Sequence, residues 1–193
     1  IGGIVKWLKQ DKKNFDLIGK IWFNSGRLLA KHFGKNETED HLIPLIITEG
    51  TDTSYKQGAF LENYLEERKI WTQEIIFDKT ELTEIGIEFK ILSPSIDKLS
   101  TLIADWQKED SDTLTSSLKG DDYQVSLKDL IDNDVFREDA SPPNGSSIAF
   151  ILTYNSKNIL FLGDDHPSTV ISGLKYFGFS RENPLKAEFV KIS

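Results

Sequence analysis

Asn158-Ile-Leu-Phe-Leu-Gly-Asp-Asp-His166 sets four apolar residues, Ile159 to Leu162, directly before a glycine, two carboxylates and an imidazole. A short apolar run bounded by turn residues predicts a buried strand. Gly163 permits a tight turn and a close backbone approach just past the strand's end. Presented together at a strand end, Asp164, Asp165 and His166 offer the hard and borderline donors that bind zinc, manganese or iron without thiolates. On spacing alone the same residues read first as a polar strand-to-helix loop, with Asp165 or His166 capping the helix that opens at Pro167.

Working outward, Ser147 to Tyr154 is rich in β-branched and aromatic residues, and the turn residues Asn155 and Ser156 separate it from the 158–162 run. That arrangement predicts a hairpin. Downstream, a helix from Pro167 to Phe177 is closed by Gly178 and followed by a strand, Glu188 to Ile192. Pro94 and Ser95 open another expected helix, running to about Lys108 and burying Ile96, Leu99, Leu102, Ile103 and Trp106. Thr72 to Phe77 and Ile87 to Leu92, turning near Gly86, predict a β-ribbon. Residues 109–145 are rich in Asp, Ser and Gly and read as a lid, an insertion or a solvated loop, with a small helix at Val125 to Leu130.

Nearer the start, helices are expected at Gly3 to Gln10, at Ser25 to Phe33 with Ser25 as cap, and at Ser54 to Arg68 with Ser54 as cap. In the last, Tyr55, Phe60, Leu61, Tyr64 and Leu65 form the apolar face, and Glu62, Glu66 and Glu67 the wet one. Leu17 to Phe23 reads as a buried strand. Trp22, Trp71 and Trp106 are expected in the core, Trp7 near a site mouth, and His32 and His41 in solvent. Strands, a crossing helix and a further strand predict an α/β fold with helices covering sheet layers.

The chain of 193 residues is long enough for one substantial core, and nothing in its length demands a second domain. With 23 Lys and Arg against 31 Asp and Glu, the net charge is -8, so no broad basic field is available to hold a nucleic-acid backbone unaided. The acidic runs at Asp121-Asp122 and Asp132 to Asp139 read as wet surface. The absence of cysteine excludes disulfides and thiolate metal sites, leaving His, Asp, Glu or water as ligands. No apolar stretch is long enough to span a bilayer, so a soluble protein without membrane contact is expected, and the absence of cysteine points to the cytoplasm.

Taken together, Asn144-Gly-Ser-Ser-Ile-Ala-Phe-Ile-Leu152 and Ile159-Leu-Phe-Leu-Gly-Asp164 resemble a hairpin of metallo-β-lactamase-fold hydrolases, in the branch related to the hydrolase domain of the competence protein ComEC. Two flanks agree. Ile1-Gly-Gly-Ile4 is similar to the residues that follow that group's first metal motif, and Phe189-Val-Lys-Ile-Ser193 to the approach to its closing histidine pair. Ile91-Leu-Ser-Pro94 resembles a further strand end.

The resemblance implies an αββα sandwich, of which residues 1–193 are the central part: one incomplete domain carrying an acidic insertion or loop at 109–145. It implies that Asp164 bridges two divalent metal ions, zinc or alternatively manganese, with Asp165, His166 and Asn144 as supporting residues around them. The implied activity is metal-dependent hydrolysis, of a phosphodiesterase or nuclease-like kind, on a small-molecule or nucleic-acid phosphodiester. Two other readings stay open: a non-catalytic scaffold of the same fold that engages a protein partner, and an unrelated α/β domain with a Gly-Asp strand end.

Overall fold

Between β3 (Ala149–Tyr154) and β4 (Lys157–Gly163) the chain reverses through Asn155 and Ser156, whose φ angles are 48° and 61°. Two successive left-handed residues match the right-handed twist of paired strands, so this turn closes a tight antiparallel hairpin. Phe150 lies opposite Phe161 and Tyr154 opposite Lys157. The computed structural model describes residues 2–10, 17–35, 54–109 and 140–192.

The hairpin is the centre of a five-stranded mixed sheet in the order β1-β2-β3-β4-β5. β2 (Ile87–Ser93) pairs antiparallel with β3, setting Ile91 opposite Phe150, and its register shifts between Ile91 and Ser93. β1 (Glu81–Glu84) forms the outer hairpin through Ile85 and Gly86 at φ 51° and 76°. β5 (Phe189–Ile192) adds to the other side of β4 in parallel, with Gly163 opposite Ile192. The expected ribbon thus turns at Gly86, but its first arm is Glu81–Glu84. Thr72 to Phe77 forms no strand, with Gln73 in the left-handed region at φ 55°, and lies outside the sheet.

Alternation divides the sheet's faces. On one face Leu92, Ala149 and Ile151 pack with Leu160 and Leu162 against Val170, Leu174 and Phe177 of, or just beyond, helix α6 (Pro167–Tyr176). Helix and strand approach so closely that a Cβ on Gly173 would stand 2.5 Å from the Leu92 carbonyl oxygen. The other face carries an aromatic row. Trp22 meets Phe89 edge-on at 4.9 Å, Phe89 lies 5.8 Å from Phe150, and Phe150 stacks on Phe161 at 4.7 Å. All four are half-buried.

The remaining helices form two apolar clusters. α2 (Gly26–His32) starts at Ser25, whose hydroxyl accepts from the Leu28 amide at 3.2 Å as expected of the cap. Its Leu29 and Ala30 pack with Leu99, Leu102 and Ile103 of α4 (Ile96–Glu109). α1 (Gly2–Gln10) places Leu8 against Leu61 and Leu65 of α3 (Ser54–Arg68) and against Trp71. Trp71 is buried, Trp22 only partly so, and Trp7 is exposed.

Leu17 to Phe23 forms no strand: its ladder bonding is confined to one parallel bridge, Ile21 with Trp71. Side chains take over from the ladder. The Trp71 indole donates to the Phe23 carbonyl at 2.9 Å, and Asn24 bonds both backbone groups of Ile76, at 2.7 and 2.9 Å. Glu62 also departs from expectation. It is 1% exposed and pairs with Arg27 Nε at 2.9 Å, because α2 crosses the face of α3 that its periodicity would leave wet. Val125 to Leu130, His41, the acidic runs at 121–122 and 132–139, and the side chains of Ser54, Tyr55 and Trp106 lie outside the described residues.

Candidate functional site at the β4 strand end

Gly163 ends β4 in the left-handed region, at φ 58°, and a Cβ there would stand 3.2 Å from Ser147 Cβ. A residue with a side chain pays for that φ by about 1 kcal/mol or more. The glycine therefore lets the chain leave the sheet sharply, and Asp164, Asp165 and His166 follow in sequence at the sheet's end. They face three different environments.

Asp164 sits in the turn and is exposed. Asp165 is half-buried, and both carboxylate oxygens are inaccessible to solvent without a hydrogen-bond partner among the described residues. Burial raises its carboxyl above the ordinary carboxylate range, against the opposing pull of Ser93, of the His166 amide and imidazole, and of Lys98. The Ser93 hydroxyl cannot relieve it directly. Its single proton goes to the Ser147 carbonyl at 2.8 Å, while its oxygen accepts from the Ala149 amide at 3.0 Å. Those two bonds stitch β2 to β3 where the register shifts.

His166 is 3% exposed and occupies the N-cap position of α6, yet its side chain makes no capping hydrogen bond. The ring turns inward. Its Nδ1 lies 2.8 Å from Lys98 Nζ, on the first turn of α4, and its Nε2 is buried without a partner among the described residues. Gly145, at the end of the short helix α5 (Pro142–Gly145), makes room for it: a Cβ there would stand 2.6 Å from the ring's Cε1. Asn144 is half-buried, and its carbonyl accepts from the Ser147 amide at 2.9 Å, fixing the loop that leads into β3.

All four residues expected at the site thus belong to one end of the sheet, where the 163–167 turn and the 141–148 loop meet. Sequence reasoning did not reach Lys98, Ser93 or Gly145. Lys98 stands 68 positions before His166 and falls on the polar side of an amphipathic helix, so no local pattern marks it. The Ser93 hydroxyl gains its role only through the β2–β3 register shift. Gly145 lies in a Gly- and Ser-rich stretch, where glycine carries little information.

Among the described residues no group of three His, Asp or Glu side chains is placed to hold a metal ion. None of their helices is long and apolar enough to cross a membrane. Fold and site together define a mixed α/β sheet domain with a partly buried Asp-His-Lys cluster behind an exposed aspartate. No family model, curated protein or solved structure matches the chain.

Proposed function

We propose that this chain supplies the ligand Asp164 to a metal-dependent hydrolase of the metallo-β-lactamase type, acting on phosphodiesters with two divalent ions, zinc or manganese. The observation that carries the reading is the parallel pairing of β5 with β4. Because Ile192 stands opposite Gly163, both strands run out at the same end of the sheet, beside the exposed Asp164. A ligand placed just after β5 would emerge next to that carboxylate.

The fit to metal is partial within these residues. Asp164 is an accessible carboxylate in the turn after a strand, and one carboxylate does not make a hydrolytic metal site. The reading therefore requires His and Asp ligands on both flanks of residues 1–193. A bound pair of such ions would lower the pKa of a water molecule and polarise a phosphoryl centre. The chain's own part is to hold Asp164 in place: Gly163 sets the turn, and the Ser93 bonds lock the adjacent strands. The half-buried aromatic row on the face away from α6 supports a sheet-on-sheet sandwich, since such a face suits a second layer.

The test uses the protein extended through both flanks. It is expected to purify with stoichiometric zinc or manganese and to hydrolyse a generic phosphodiester. Asp164→Ala should lose metal and lower the rate by at least about 100-fold. Residues 1–193 alone should bind no stoichiometric metal. Full metal content and unchanged rate in Asp164→Ala would refute the reading. A second reading, a non-catalytic interaction module, is favoured by the edge strand β5, where Phe189, Val190 and Ile192 are 57%, 43% and 68% exposed. In that case the extended protein would purify without metal.

A further inference from the structure

The contact between Lys98 and His166 fixes more than a position. A lysine ammonium has three N–H donors and no acceptor, so at 2.8 Å from Nδ1 it can only donate, and Nδ1 can only accept. A doubly protonated imidazolium would instead set an N–H and a second positive charge against the ammonium. The neutral ring must therefore carry its single proton on Nε2. The ring has little freedom to turn away, since it is buried and lies over Gly145 where a side chain would collide with it.

We propose that Lys98 is a positioning residue behind the Asp164 turn, holding His166 as the Nε2-protonated tautomer, so that His166 keeps a buried N–H there and is not a metal ligand. A ring whose Nδ1 lone pair is taken by an ammonium and whose Nε2 bears hydrogen has no lone pair for a cation. What remains is one buried donor, Nε2–H, next in sequence to a carboxylate whose two buried oxygens lack donors. The functional meaning of this assignment rests on the metal reading of Asp164, whereas the tautomer itself does not.

Nitrogen-detected histidine spectra of the protein extended through both flanks, recorded with a chelator above the ordinary pKa of imidazole, test it. Wild type and Lys98→Arg should show one His166 tautomer, with Nδ1 bare and Nε2 protonated. Lys98→Met should lose that single state and gain an Nδ1-protonated population. A wild-type ring protonated on Nδ1, or a folded Lys98→Met with an unchanged ring, overturns the proposal. Should Lys98→Met fail to fold, the wild-type spectrum still decides the tautomer. Zinc added to the extended protein separates the two readings: if Nε2 gives up its proton on loading, His166 is a ligand and this inference falls while Asp164 stands. If instead Asp164→Ala keeps its metal, the functional reading falls and the tautomer remains as measured.

Discussion

Asp165 and Asp164 are neighbours of the same type, and the turn at Gly163 gives them opposite surroundings. Asp164 stays in water, whereas Asp165 turns its oxygens into the space behind the strand end, where burial raises its pKa. The sign of the effect on stability follows from linkage. A carboxyl whose pKa is higher folded than unfolded binds its proton more tightly in the native state, so stability falls as pH rises from the ordinary carboxylate value through the raised one. Burying this carboxyl at neutral pH is therefore a burden on the fold. Asp165→Asn is expected to be more stable than wild type in urea at neutral pH, and to lose this part of the acid-side pH dependence. Equal urea midpoints for the two proteins at neutral pH would show that the carboxylate is satisfied by groups other than those described.

The helices α2 and α3 illustrate how packing between elements overrides periodicity. The helical pattern sets Glu62 on the polar side of α3, but α2 crosses there and Arg27 clamps both Glu62 and Glu66. Burial works against the Arg27 charge, and the hydrogen bond to Glu66 with the two carboxylates' attraction outweighs it, leaving the guanidinium pKa raised. Removing one partner of a buried ion pair costs more than the pair contributes, because the remaining charge stays out of water. Arg27→Met is expected to cost about 3 kcal/mol in chemical denaturation. Adding Glu62→Leu should recover most of that loss. A single variant as stable as wild type would mean that Glu62 is held by other groups.

The elements that could be read from sequence were those with a local physical cause. The β3–β4 hairpin follows from its apolar runs and the Asn155-Ser156 turn, α6 from Pro167 and Gly178, and α2 from the Ser25 cap. Segments 17–23 and 72–77 have strand-like composition, but the Trp71 and Asn24 side chains bond the backbone there, and no regular ladder forms. The candidate site was legible along its own strand and blind across the fold. Asp164, Asp165, His166 and Asn144 could be named in advance. Lys98, which fixes His166, could not.

At the scale of the whole molecule, one mixed sheet brings the ends of β2, β4 and β5 and the start of β3 to a common edge, with α6 on one face and an aromatic row on the other. Metal binding by Asp164, at that edge, is what the proposed function requires first. Anomalous diffraction from zinc-loaded crystals of the extended protein tests it most directly. Zinc is expected at about 2.0–2.2 Å from an Asp164 carboxylate oxygen, the distance of a direct bond. Zinc bound elsewhere, or none bound, with Asp164 standing in solvent, would contradict it.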